Sequence, residues 1–104
     1  MVIEWSEKAK KRLREIFYYY EKEVSRQTAT KIITEIVLSV EPLKEFPQMA
    51  AIESSLDNMS EIFRSVISTP NYKVVYYADA NKINIVTIWD CRQNPKKLKR
   101  EIKK

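Results

Sequence analysis

The chain has 104 residues, 44% of them hydrophobic, and a formal net charge of +5; that supports one hydrophobic core and is too short for two ordinary domains, so a single domain over residues 1–104 is expected. It holds no histidine, one cysteine and no glycine, which excludes an internal disulfide, the usual zinc sites and every glycine-rich phosphate loop; no metal or cofactor is expected. There is no run of about 18 apolar residues to span a bilayer, and MVIEWSEKAKK is charged where a secretory signal would be apolar, so the expected place is the cytoplasm, away from membranes.

Val2 to Trp5 reads as a short strand, and Ser6 is a good N-cap for a helix behind it. That helix shows one apolar stripe, Ala9, Leu13, Ile16, Phe17, Tyr20 and Val24, with Lys8, Lys11, Arg12, Glu15 and Lys22 on the opposite side. Tyr18 and Tyr19 lie off the stripe. Ser25 can cap a second helix with the stripe Ala29, Ile32, Ile33, Ile36, Val37 and Val40, which Pro42 ends. Joined this tightly, the two should form a hairpin.

The stretch LKEFPQMAAIESSLDNMS offers Leu43 and Phe46 as anchors and Pro47 as a breaker, without sustained period, and reads mostly as loop. Three strand-like segments follow, residues 61–68 (EIFRSVIS), 72–78 (YKVVYYA) and 82–89 (KINIVTIW), rich in β-branched and aromatic residues. Short turns at TPN and DAN predict an antiparallel meander. Without glycine, left-handed turn positions should fall to Asn58, Asn71, Asn81 or Asn94.

The basic excess lies at the end of the chain. Residues 1–60 carry nine Lys and Arg against ten Asp and Glu, and residues 61–90 three against three. From Cys91 onward Arg92, Lys96, Lys97, Lys99, Arg100, Lys103 and Lys104 face only Glu101. Such a segment attracts polyanions by counterion release, although a solvated tail is its commoner meaning. The expected class is therefore α+β: a short N-terminal strand, a two-helix hairpin on one face of a small antiparallel sheet (β-α-α-β-β-β), and a short basic C-terminal helix or tail. The other sheet face would stay open for function.

On that face three cations are candidates. Arg64 shares a strand side with Ile62 and Val66, Lys73 shares one with Val75 and Tyr77, and Asp90 and Arg92 follow Ile88 and Trp89. If register brings them together, Arg64, Lys73 and Arg92 form a basic cluster; alternatively Arg64 pairs with a carboxylate such as Asp90 and Lys73 is merely exposed. Tyr72, Tyr76, Tyr77 and Trp89 can stack bases, but at alternating strand positions they more often pack a core. No histidine is available as a base, and no Ser or Cys has a visible base partner.

Four segments, VIEWSEKAKKRLREI, LKEFP, FRSVISTPNYKVVYY and IVTIWDCRQNPKKL, in this order and spacing, make the chain resemble the RelE/ParE superfamily of toxins from bacterial type II toxin-antitoxin systems, including those that stabilise plasmids. The resemblance covers nearly the whole length. It implies a growth-inhibiting toxin neutralised by a cognate antitoxin that wraps the helices and sheet in a hetero-oligomer. RelE-like members are ribosome-dependent messenger RNA endonucleases, for which Arg64, Lys73 and Arg92 would be the catalytic residues. Such nucleases commonly carry a Tyr or His in the C-terminal segment, and none follows Trp89 here. ParE-like members lack that set and inhibit DNA gyrase; this is the preferred reading, with the nuclease as the alternative. In either case Tyr72, Tyr77, Asp90, Lys96 and Lys97 are the expected binding residues, and whether the chain is an enzyme stays open.

Overall fold

A computed structural model describes residues 1–57 and 59–103, with the side chain of Lys103 left out; the turn expectation at Asn58 and the charge of Lys104 fall outside the described residues. The elements run β1 (Val2–Trp5), α1 (Glu7–Glu23), α2 (Arg26–Ser39), β2 (Ala51–Ile52), β3 (Arg64–Ser68), β4 (Tyr72–Asp79), β5 (Lys82–Asp90) and α3 (Pro95–Lys103). No helix among the described residues is long and apolar enough to cross a membrane.

Both N-caps form as the serines predict. Ser6 Oγ accepts from the Ala9 N–H at 3.0 Å, and Ser25 Oγ from the Thr28 N–H at 3.0 Å. Only Val24 and Ser25 separate the helices, so α1 and α2 fold back as a hairpin. Val24 itself is 62% exposed, because it caps α1 instead of continuing its stripe. Phe46, expected as an anchor, is 60% exposed, whereas Leu43 is fully buried. The stretch between α2 and β3 carries two single turns of 3-10 helix, Glu41–Lys44 and Ser54–Leu56, besides the two residues of β2.

Five strands form one sheet in the order β1-β5-β4-β3-β2. The meander β3-β4-β5 is antiparallel as predicted, but β1 joins β5 in parallel, so the sheet is mixed. A bulge in the β4-β5 pairing places Thr87 opposite Val75 and Ile85 opposite Tyr76, which leaves Val86 unpaired on that side. The bulge has two consequences. It turns Ile88 and Asp90 to the side already taken by Ile83 and Ile85, and the Val86 carbonyl accepts the Ser6 hydroxyl at 2.8 Å. One serine thus ties the start of α1 to the centre of the sheet.

The two sheet faces are both covered. On one side Tyr72, Val74, Tyr76, Ile83, Ile85 and Ile88 pack against Ala9, Ile16, Ile32 and Ile36 of the helical hairpin. Tyr76 is fully buried, and its hydroxyl donates to the Pro47 carbonyl at 2.8 Å. The opposite face, expected to be open, carries a second cluster of Leu56, Phe63, Val75, Trp89 and Leu98. Leu98 belongs to α3, so the basic segment is a docked helix and not a solvated tail. Asn94 Oδ1 accepts from the Lys96 N–H at 3.0 Å and Pro95 opens the helix, which makes the Asn-Pro pair a cap.

Among the described residues the positive φ falls on Ala80, at 52°, and on none of the asparagines. The pairing of Asp79 with Lys82 leaves Ala80 and Asn81 as a two-residue hairpin loop, whose first position takes the left-handed conformation. A Cβ at that φ costs roughly 1–2 kcal/mol. Ala80→Gly is therefore expected to raise stability by about 1 kcal/mol, read as an upward shift of the denaturant midpoint, the strain relieved exceeding the chain entropy that glycine adds.

Candidate functional site

The three cations singled out by sequence do not converge. Ser68 pairs with Tyr72 and Arg64 with Tyr76, so Arg64 lies on the side of the helical hairpin, while Lys73, paired with Ile67 and Trp89, lies on the other. Arg92 follows Asp90, which pairs with Tyr72. Four positions of β4 separate that pair from Arg64, roughly 13 Å at the usual strand rise.

Each cation also has a local partner. Arg64 Nη1 donates to the carbonyls of Ala50 at 2.8 Å and Gln48 at 3.3 Å, holding the segment before β2 instead of pairing with Asp90. Lys73 Nζ lies 2.6 Å from Glu53 Oε1, and both side chains are largely buried. Ser65 and Ser55 donate to the same carboxylate at 2.9 and 2.6 Å. Burial pushes the Glu53 carboxyl up, but the hydrogen bonds from Lys73, Ser55 and Ser65 together outweigh it and hold the group below its ordinary value.

Arg92 and Asp90 form a fork at the end of β5. Arg92 Nε and Nη2 donate to Asp90 Oδ1 and Oδ2 at 3.0 and 2.9 Å, and the Arg92 backbone N–H adds a third bond at 2.9 Å. Arg92 thereby holds the Asp90 carboxyl below its ordinary value, against a smaller upward push from burial. Asp90 contributes stability above the ordinary carboxylate range, and loses it as pH falls through the lowered folded value. Arg92→Ala is expected to return the Asp90 carboxyl toward its ordinary value, which carboxyl-detected NMR titration measures directly. An unmoved titration midpoint would show that the fork does not govern Asp90.

Around this fork lies a cavity of about 310 Å³ lined by Arg12, Glu15, Tyr19, Tyr72, Arg92 and Gln93, with Ile16, Ile88, Trp89 and Asp90 behind them. Arg12 is held by Glu15 at 2.7 Å and by Glu101. Burial, then a hydrogen bond and charge from Tyr20, push the Tyr72 hydroxyl well above its ordinary value, with Asp90 adding and Arg92 opposing. Tyr72 therefore stays protonated and cannot accept a proton at neutral pH. The Cys91 thiol is likewise pushed up by burial, the wrong direction for an activated nucleophile. The cavity can hold an anionic or aromatic group between two guanidinium ions; it presents no free base.

Of the residues expected to bind, Tyr72 and Asp90 line this cavity. Tyr77 sits across the sheet, edge-on to Phe63 with ring centroids 5.6 Å apart, as a packing residue of the second cluster. Lys96 and Lys97 are exposed on the first turn of α3. Arg12, Tyr19 and Glu101 were not singled out by sequence. Arg12 reads as one more charge on the solvated side of α1, and its partner Glu101 is 89 residues away, so no local spacing connects them.

The comparisons with known proteins agree with one another. The model of the ParE toxin of type II toxin-antitoxin systems, parDE, matches residues 3–95. A solved structure of a chromosomal ParDE TA system from P. aeruginosa aligns with a TM-score of 0.72 at 21% identity, covering 85% of this chain and 92% of that one. No curated protein matches. The likeness in structure shows a shared fold, and the family match over residues 3–95 carries the assignment. This chain belongs to the ParE toxin family and is the toxin component of a type II toxin-antitoxin system, with a cognate antitoxin as its partner.

Proposed function

We propose that the toxin acts by engaging DNA gyrase and blocking supercoiling, without cutting RNA. The observation that carries this reading is the dispersal of the three cations that a RelE-like nuclease would need together. Cleavage by the ribose 2′-hydroxyl requires a base for the nucleophile, an acid for the leaving oxygen, and positive charge on the developing phosphorane. Arg64 and Lys73 point to opposite faces of the sheet and are committed to loop carbonyls and to Glu53. Tyr72, which lines the same cavity as Arg92, is pushed well above its ordinary value by burial and stays protonated. Arg92 and Arg12 are ion-paired too, with Asp90 and with Glu15 and Glu101, but they line one cavity with 56% and 36% of their side chains exposed, which places them to receive an acidic group of a protein target or of the antitoxin, in a toxin-antitoxin hetero-oligomer.

Primer extension on messenger RNA in a translating extract supplied with the purified toxin tests this. The expected result is intact message for both the native chain and Arg92→Ala. New 5′ ends at translated codons, absent with Arg92→Ala, would replace this reading with a ribosome-dependent nuclease.

A further inference from the structure

A second groove runs between the first half of α1 and α3. It encloses about 520 Å³ and is lined by Lys8, Lys11, Arg12, Lys97, Arg100 and Glu101, together with the exposed Gln93 and the buried Trp89. Each helix contributes two cations three residues apart, Lys8 and Lys11 on α1 and Lys97 and Arg100 on α3, so each pair stands on one helix face. Two basic rails therefore face each other across the groove.

The carboxylates in and beside it, Glu101, Glu7 and Glu15, all have partners of their own. Glu101, the carboxylate of the lining, is turned inward with 10% of its side chain exposed; it takes the Arg12 guanidinium on one oxygen and the Thr87 hydroxyl, at 3.1 Å, on the other. Glu7 pairs with Lys10 at 3.1 Å, and Glu15 with Arg12 at 2.7 Å. Lys8 Nζ donates to the Glu101 carbonyl at 2.6 Å and so helps hold α3 in place. The side chains of Lys11, Lys97 and Arg100 have no ion-pair or hydrogen-bond partner among the described residues, and all three residues are exposed. The internal bonds fix the groove's geometry and leave these three charges uncompensated.

We infer that the α1–α3 groove is a binding site for the phosphodiester backbone of a nucleic acid. Charge complementarity calls for a polyanion. The one aromatic residue lining the groove is Trp89, which is 5% exposed, so no ring is available for a base to stack on and recognition goes to phosphates, independent of sequence. An acidic peptide is disfavoured because Trp89, the one apolar side chain of the lining, is already buried and leaves little surface on which a side-chain anchor could be seated. The groove adjoins the Arg92 cavity, with Arg12, Trp89 and Gln93 lining both, but Lys11, Lys97 and Arg100 line the groove and not the cavity, and the inference does not depend on the gyrase reading.

Fluorescence anisotropy of a labelled 20-mer duplex, with the full-length toxin and no gyrase present, tests it. Three to four phosphate contacts predict a slope of log affinity on log salt between about −2.7 and −3.6, so that binding weakens roughly 40-fold to 150-fold between 50 and 200 mM. The triple variant Lys11→Gln, Lys97→Gln, Arg100→Gln removes only exposed charges; it should bind roughly tenfold or more weakly and flatten the slope by about one unit per charge. The charge-matched variant Lys22→Gln, Lys31→Gln, Lys44→Gln should bind like the native chain. Single-stranded DNA and RNA of the same sequence, run as parallel probes, distinguish the natural source, and loss of any bound probe in the groove variant supports the site. Failure of all three probes to bind, unchanged binding in the groove variant, or equal loss in the charge-matched variant would overturn it. Displacement by polyglutamate as effective as by unlabelled DNA would also overturn it, in favour of an acidic peptide.

Discussion

Replacing Lys73 by Met is expected to destabilise the fold by about 3–5 kcal/mol at neutral pH, because it strands a buried carboxylate. Glu53 is 8% exposed and receives three side-chain bonds, from Lys73, Ser65 and Ser55. Taking away the cation leaves the two hydroxyls to hold a charge that burial already disfavours. In the native chain the Glu53 carboxyl lies below its ordinary value, so its stabilisation is present above the ordinary carboxylate range and fades as pH falls through the folded value. In the variant only the two serine hydroxyls oppose burial, so the carboxyl moves up from its native position. The deficit relative to the native chain is then largest near neutrality and shrinks in acid, as Glu53 takes up its proton. Denaturant melts of both proteins across that range check this, and a deficit independent of pH would contradict it. Pairing Lys73→Met with Glu53→Gln should restore most of the loss, since a neutral amide can still bond both serines. Loss of toxicity in a Lys73 variant would accordingly report unfolding, not a missing catalytic group.

The second large effect lies in α3. Leu98 is fully buried against Leu56, Phe63, Val75 and Trp89, and Leu98→Ala is expected to cost about 2–5 kcal/mol. A helix of nine residues is too short to persist alone in water, so its docking keeps it helical. Weakening that contact should release α3, uncover Trp89 and shift its fluorescence to the red, with a matching loss of helical circular dichroism. Unchanged emission in the variant would mean that Glu101, Arg12 and Lys8 suffice to hold the helix. In that event the α1–α3 groove would survive without its apolar anchor.

What was legible in the sequence followed from local rules. Ser6, Ser25 and Pro42 marked the helices because caps and breakers act within a few residues, and the meander strands showed in their β-branched and aromatic runs. The second covered face was not legible. Leu56 is an isolated apolar residue in an aperiodic stretch, Phe63 stands in the segment read as a strand but just ahead of β3, which begins at Arg64, and Leu98 stands among lysines, so the three share no repeating pattern. The parallel docking of β1 on β5 is likewise a contact between distant segments.

The site was half legible. Arg92 at the rim and its neighbour Asp90 followed from the end of β5, but the three-cation cluster required a register that the turn forbids. A three-residue loop from Thr69 to Asn71 pairs Ser68 with Tyr72, so even-numbered residues of β3 meet even-numbered residues of β4. Arg64 and Lys73 then necessarily face apart. That parity was available from the loop length alone. The contribution of Arg12 was not, because it depends on Glu101 of a helix whose docking the sequence hid.

Whether this ParE-family toxin acts on gyrase, as proposed, and not on RNA is decided by ATP-dependent supercoiling of relaxed plasmid with purified gyrase and the purified toxin. Dose-dependent loss of supercoiled product is expected, with recovery when the cognate antitoxin is added. Full supercoiling at a large molar excess of folded toxin would contradict it.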